Sequence, residues 1–504
     1  MKKITKRALC LLLCLVCLSY VFCGCADTTT SDTTLDTTDG VVDPADLIKV
    51  RNSTVSRANS YTNSLADDAA DPMIIEHEGT YYLYATGNKI LSVRTSKNLT
   101  TWSEKKQVFA LADTTWGVSN CWAPEVHEYN GKFYLFFCGR GSDSIFRGSV
   151  AVCDTPDGTF VPVTENALLD FGFSVIDLSF FLDDDGKTYI FYSKDCSTNK
   201  VNGKKVSQSF GVEVSNDFTR LIGEPVLCTT PDVSWELKSG GTIWNEGPVV
   251  FKENGKYYML YSANYYQSAD YGVGYAVADS ILGPYTKPKS NCIISGNGET
   301  ITGPGHCNVL TVGGQRYVVY HAHTIPPNTD NGRSLYINEI IVREDGSLHV
   351  NGPTKNKLPL FEGINGVEKY KGTIEISASL SESRQNTEIL TDGCVEKSVG
   401  KVVKFAEGDT VTFTFTGGEE IDAMWLYNST MYSYNTKTVD VIINDKYIME
   451  DVSFSSERGG VAIASFAKLE EGVKVEKITL SFDILEGSEG AAITEVTFVC
   501  FTKD

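Results

Sequence analysis

The sequence predicts an all-β protein, a five-bladed β-propeller followed by a jelly-roll-like β-sandwich, on three observations. One hairpin unit recurs five times between residues 60 and 360, a second hairpin follows each copy, and from residue 366 to 504 the strands change rhythm. The composition agrees: 44 Gly and 25 Tyr against 6 Met favour strands and tight turns over helices. At 504 residues and 42% apolar content the chain can build more than one core, which excludes both a single small module and wholesale disorder.

The first stretch reads as an address. Lys2, Lys3, Lys6 and Arg7 precede fifteen uncharged residues, Ala8 to Phe22, an apolar run too short to span a bilayer. Residues 1–24 are therefore expected to be a signal peptide. Gly24 before Cys25 resembles a bacterial lipoprotein cleavage box, which implies a lipid on Cys25 and an exported, surface-anchored protein; plain secretion is the alternative. Residues 25–46 hold seven Thr and six Asp, a composition that cannot pack and predicts a tether.

The repeats come next. Each copy sets a polar residue beside a short apolar run, then a Gly turn, then a Tyr-rich strand: Asp71-Pro-Met-Ile-Ile with Gly79 to Tyr84, Glu125-Val-His-Glu-Tyr with Gly131 to Phe137, Asp177-Leu-Ser-Phe-Phe with Gly186 to Tyr192, Glu246-Gly-Pro-Val-Val with Gly255 to Tyr261, and His306-Cys-Asn-Val-Leu with Gly314 to Tyr320. Asn-Gly or Asp-Gly turns in three copies mark hairpins. Four strands per unit of some fifty residues is the period of a propeller blade. In a propeller the innermost strands line one channel, so Asp71, Glu125, Asp177, Glu246 and His306 are expected to face one another across a funnel. A sandwich of repeated hairpins would not explain why one polar residue leads every unit.

Carboxylates crowded in a narrow funnel resist joint ionisation, so at least one pKa must rise. Glycosidic hydrolysis uses such a set, a protonated acid for the leaving oxygen and an ionised carboxylate across the sugar. No Ser-His-Asp pattern accompanies it, so acyl transfer fits poorly. A net charge of −20, or −24 without the basic leader, repels phosphate backbones and excludes nucleic acid as a partner.

Asp71-Pro-Met-Ile, Trp122-Ala-Pro-Glu-Val126, Ile176-Asp177, Glu246-Gly-Pro248, Gly305-His306 and the stretch from Tyr320-His321 through Gly332-Arg333 to Asp345-Gly resemble, in order, the blade signatures of family 43 glycoside hydrolases. The resemblance spans about residues 62–355. It implies Asp71 as general base, Glu246 as general acid, and Asp177 as the residue that tunes the acid's pKa and orientation. It further implies Trp122 and Arg333 at the sugar. Glu125 is assigned to the substrate funnel as well, with a blade-to-blade hydrogen-bond acceptor as its alternative. His306 resembles a family histidine near the axis that contacts a structural calcium through water. No cofactor is implied for the chemistry, which is expected to proceed with inversion on arabinofuranosyl or xylosyl linkages of plant polysaccharides or oligosaccharides. A non-catalytic glycan-binding lipoprotein on the same scaffold is the rival reading.

Several side chains invite bland readings beside sharp ones. His321 and His323 look like a metal pair, yet without a third ligand core packing or a substrate hydrogen bond fits better. Asp183-Asp-Asp-Gly186 fits a hairpin turn better than a calcium loop. Trp116, Trp122, Trp244, Tyr265 and Tyr266 lie where they could form a pocket rim, and residues 194–209 form an insertion expected to shape access. The nine Cys beyond Cys25 are odd in number and contain no CxxC, so neither a full disulfide framework nor a zinc site is expected.

The final region contains a strictly alternating strand, Thr410 to Thr416, with Val411, Phe413 and Phe415 on one face, and further strands near Val439, Lys477 and Ile493. Residues 366–504 are thus expected to form the sandwich, either a carbohydrate-binding module or a brace for the propeller. Trp425, Tyr427, Tyr432 and Tyr434 are its candidate sugar platforms, and equally candidates for its core.

Overall fold

The computed structural model describes residues 44–502, apart from 330–331, 383–384, 396–400 and 457–458. The expected signal peptide, Cys25 and all of the tether except Pro44–Asp46, a single 3-10 turn, lie outside the described residues.

Each repeat folds into the expected antiparallel blade. The first comprises Met73–His77, Thr80–Ala85, Ile90–Ser96 and Lys106–Ala110; the second Gly117–Tyr129, Lys132–Gly141, Phe146–Cys153 and Val161–Pro162. The third comprises Val175–Leu182, Thr188–Lys194, Lys204–Val214 and Leu221–Thr229, the fourth Thr242–Glu253, Lys256–Ala263, Gly272–Ala278 and Cys292–Ser295, and the fifth Gly305–Val312, Gln315–His323, Arg333–Val342 and Leu348–Val350. The first turn of the second blade shows how the sequence sets this geometry: Asn130 and Gly131 take φ of 50° and 71°, positive at both centres as a hairpin with matching twist requires. Alternating apolar side chains then pack blade on blade, as where Tyr84 and Val93 meet Val126 and Leu135.

Two departures from a plain propeller shape the site. The chain before the first blade returns to the fifth: Leu65 and Ala69 donate to the carbonyls of Leu335 and Arg333, both at 2.9 Å, which closes the ring and brings Asp71 beside Arg333. The third and fourth blades fuse into one sheet, because Lys205–Ser207 pairs in parallel with Thr242–Trp244 at the start of the strand that carries Glu246.

The C-terminal strands form a two-sheet sandwich. Thr410–Thr416 matches the alternation predicted for it, with Val411, Phe413 and Phe415 buried. Its six-stranded sheet includes an element the sequence did not suggest: Ile48–Lys49 pairs in parallel with Tyr447 and Ile448. Two of the sandwich's candidate sugar platforms prove to be core. Trp425 is fully buried and donates to the Lys357 carbonyl at 3.2 Å, and Tyr427 packs with it in one cluster with Tyr61 and Phe361. Tyr432, 85% exposed, and Tyr434, beneath the Lys404 ammonium, remain at the surface.

Candidate active site

Every inner strand bends at one position near its start. Asp71, Ala123, Asp177, Gly247 and His306 all have positive φ, between 44° and 58°, and the ladder slips there in four of the five blades. A left-handed residue is costly for anything but Gly, and such kinks persist where neighbours hold them. Here the neighbour is always the preceding blade. The N–H of Ala123 donates to Thr86 Oγ1 at 2.8 Å, that of Gly247 to Ser193 Oγ at 3.1 Å, that of His306 to Ser262 Oγ at 2.7 Å and that of Asp71 to His321 Nδ1 at 3.2 Å. In the remaining pair the Cys138 thiol meets the Asp177 backbone. A ring of five side chains, four from second strands and Thr86 just after one, thus holds the kinked residues.

Asp71, Asp177, Glu246 and His306 converge. Gly247 N donates to Asp177 Oδ2 at 3.0 Å, the His306 ring lies against Gly247, and His306 Nδ1 is 3.5 Å from Asp71 Oδ1. Asp71 is enclosed by cationic and donating groups: Arg333 Nη1 at 2.7 Å on Oδ1 and the Thr86 hydroxyl at 2.5 Å on Oδ2. Burial pushes its carboxyl up, but the Arg333 guanidinium, His306 and the Thr86 hydrogen bond outweigh it and hold the pKa well below the usual carboxylate range. Asp177 moves the other way, to about 6: burial raises it and the nearby Asp71 charge adds, against His306, the Gly247 N–H and the Ser193 hydroxyl. Glu246 is raised well above its ordinary value by burial first and the Asp177 charge second, although the Tyr271 hydroxyl donates to its Oε1 at 2.9 Å. The site therefore drives its carboxyl groups apart, Asp71 toward the ionised form and Glu246 toward the protonated one.

Glu125 reaches the channel but is engaged there by protein groups. Its Oε1 accepts from Asn308 Nδ2 at 2.8 Å, and its Oε2 accepts from Phe180 N at 3.3 Å and meets His127 Nε2 at 2.9 Å. Asn308 belongs to the fifth blade and Glu125 to the second, so this bond spans the channel between non-adjacent blades. These contacts fit the blade-to-blade alternative rather than a sugar contact. The reason is register: the kink in the second blade falls at Ala123, two residues before Glu125, so Ala123 is the structural equivalent of Asp71 and Asp177.

The remaining expected residues divide. Arg333 lies inside the site, paired with Asp71 and with its guanidinium 5.0 Å from the Tyr266 ring, not in a surface salt bridge. Trp122 precedes the kinked Ala123 that Thr86 ties to Asp71, and its ring stacks on Phe146 at 4.9 Å. His323 bonds to Thr302 Oγ1 and to the Tyr266 carbonyl, a packing role. Asp183 holds Lys252 and the Tyr257 hydroxyl beside its hairpin turn. The nine cysteines among the described residues are all free thiols.

The calcium expected near His306 would be reached through water, so its oxygen shell would be largely water; of the groups near it, both Glu125 oxygens are committed to protein partners and His306 Nδ1 faces Asp71. His321 accepts the Asp71 N–H at Nδ1, so its buried Nε2, which has no protein partner, carries the proton and would meet an acceptor, not a cation. Among the described residues no group of three or more His, Cys, Asp or Glu could hold a metal ion.

Sequence reasoning missed Thr86, Ser193, Ser262 and Tyr271. Three of these follow the last aromatic residue of a second strand within two positions, and reading that position across the copies would have found them.

Residues 61–348 match the model of the family described as glycosyl hydrolases family 43. A β-D-galactofuranosidase of Aspergillus niger is 27% identical over 322 residues, 59% of this chain and 84% of that protein. An extracellular exo-α-(1→5)-L-arabinofuranosidase of Streptomyces chartreusis is 29% identical over 285 residues, 53% of this chain and 83% of the relative. Among solved structures, a thermostable family-43 glycoside hydrolase aligns with a TM-score of 0.55 at 42% identity, covering 59% of this chain and 97% of that one.

Proposed function

Since this chain belongs to glycosyl hydrolase family 43 and is a glycosidase, we propose that it removes arabinofuranosyl or xylosyl units from plant polysaccharides or oligosaccharides with inversion, using Asp71 as general base and Glu246 as general acid. One arrangement supports the roles: Arg333 sits 2.7 Å from Asp71, while Asp177 bonds the amide next to the buried Glu246, surroundings that drive the two carboxyl groups in opposite directions. Opposed pKa values are what acid and base assignments require.

The step balances with water alone. Asp71 accepts a proton from water as its oxygen bonds to the anomeric carbon; the bond to the leaving oxygen breaks, and that oxygen takes the Glu246 proton. Asp177, buried beside Glu246, keeps the acid protonated and fixes the Gly247 amide next to it. Arg333 keeps Asp71 ionised and orients it. Trp122, next to the kinked Ala123, would present its ring to the sugar. Family 43 hydrolysis needs no cofactor.

The test compares wild type with Glu246→Gln and Asp71→Asn on nitrophenyl arabinofuranoside and xyloside. Each variant should lose about 10²- to 10⁴-fold in kcat. A wild-type protein that binds arabinan or xylan yet releases no product from any of these substrates would make it the glycan-binding rival instead.

The extracellular relative in Streptomyces chartreusis supports export of this chain as well. We assign the finer address, a lipid on Cys25, to the Gly24-Cys25 box; Cys25→Ala should then abolish labelling by radioactive palmitate.

A further inference from the structure

We propose that Trp244 and Tyr265 form a stacking platform for the leaving group, a subsite that takes a neutral sugar ring on the far side of the scissile bond. The inference rests on Glu246 as the general acid, because the acid must face the leaving oxygen and whatever that oxygen carries lies on its side of the funnel.

Trp244 stands two residues before Glu246 on the same strand, Thr242–Glu253, and side chains two apart share a strand face. Its ring is partly exposed and stacks on Tyr265 with centroids 5.4 Å apart and planes 30° apart. Tyr265, 39% exposed, meets Tyr266 edge-on at 5.1 Å, and Tyr266 faces the Arg333 guanidinium. Aromatic surface therefore runs continuously from the strand of the acid to the arginine of the base.

The platform is braced in advance of any ligand. Gln267 accepts from the Tyr265 hydroxyl at 2.8 Å and donates to that of Tyr266 at 3.2 Å. Asn264 ties the same loop by donating to the carbonyls of Trp235 and Asp270. Trp244 itself is clamped by the pairing that fuses the third and fourth blades, opposite Ser207, whose hydroxyl accepts from Cys196 N at 3.0 Å. A rigid, half-exposed aromatic face with hydrogen-bonding edges suits the C–H face of a sugar ring. The sign of the ligand follows from charge: Asp195 precedes Cys196, whose N–H donates to the Ser207 hydroxyl opposite Trp244, so a carboxylate stands beside the platform and a neutral sugar suits it where an anionic uronic acid would be repelled.

The experiment measures kcat/KM for wild type, Trp244→Ala, Trp244→Phe and Tyr265→Ala on two matched pairs: xylotriose with β-D-xylosyl fluoride, and arabinotriose with α-L-arabinofuranosyl fluoride. Fluoride leaves without reaching the platform. Trp244→Ala should lose about tenfold more on the trisaccharide than on the fluoride, chiefly through KM. Tyr265→Ala should shift the same ratio by less, and Trp244→Phe should restore most of it. Equal losses on both substrates of a pair overturn the platform while leaving the catalytic assignment standing. A wild-type protein that cleaves neither pair overturns the catalytic assignment and this inference with it.

Discussion

A single backbone amide links two of the three carboxyl groups of the site, Asp177 and Glu246. Gly247 N–H donates to Asp177, and the residue before it is Glu246. Asp177 therefore acts on Glu246 twice, through its charge and through the backbone that aims it. At pH values above its own pKa of about 6, Asp177 is ionised and its charge resists ionisation of Glu246. Asp177→Asn removes that charge, the Glu246 pKa falls, and the alkaline limb of the kcat/KM profile should move to lower pH by roughly one unit. The two groups titrate as a pair, so the limb reports their joint behaviour. An alkaline limb that stays in place in Asp177→Asn would detach Asp177 from the acid. At this scale Asp71, Asp177 and Glu246 were legible because each leads a recognisable motif, and Arg333 because it stands in one. Tyr271 and Ser193 were not legible, since an ordinary Tyr or Ser reveals its role only once another blade supplies the partner.

Among elements, the kinked inner strand explains both what pattern reading found and where it slipped. Gly turns and Tyr-rich strands mark every first hairpin, so the blades follow from periodicity and turn chemistry alone. The kink has no such signature, because its strain is held by hydrogen bonds from the neighbouring blade. Aligning the copies on their leading acids consequently set Glu125 level with Asp71, when Ala123 holds that place. Gly247 is the one glycine among the five kinked positions. Its φ is +56°, and an added Cβ would sit 3.2 Å from His306 Nδ1. Gly247→Ala should cost about 1–2 kcal/mol in denaturant unfolding, and by displacing Glu246 it should lower kcat by about 10²-fold. Unchanged kcat would mean that the kink does not aim the acid.

Over the whole molecule, the sandwich and the propeller share a core. Trp425, Tyr427, Val461 and Val499 of the sandwich pack in one cluster with Tyr61, Leu358 and Phe361, and Ile48–Lys49, ahead of the first blade, pairs into the sandwich sheet. A two-residue strand has no period to read, which is why the sequence did not announce this crossing. The sandwich strands themselves were legible from alternation, but whether an aromatic residue in them faced solvent or the propeller was not. Trp425→Ala should cost about 3–5 kcal/mol, read as a lower midpoint of a single cooperative transition; a separate early transition of the sandwich alone would contradict the shared core. The ring of blades, closed by the segment before Asp71, brings Asp71 and Glu246 into one site, and the proposed roles of base and acid require the product to form with inversion. The most direct test is proton NMR of the first sugar released from a xylosyl or arabinofuranosyl oligosaccharide, recorded before mutarotation: an anomer opposite to that of the substrate is predicted, and a first product of retained configuration would contradict Asp71 as the base that activates water.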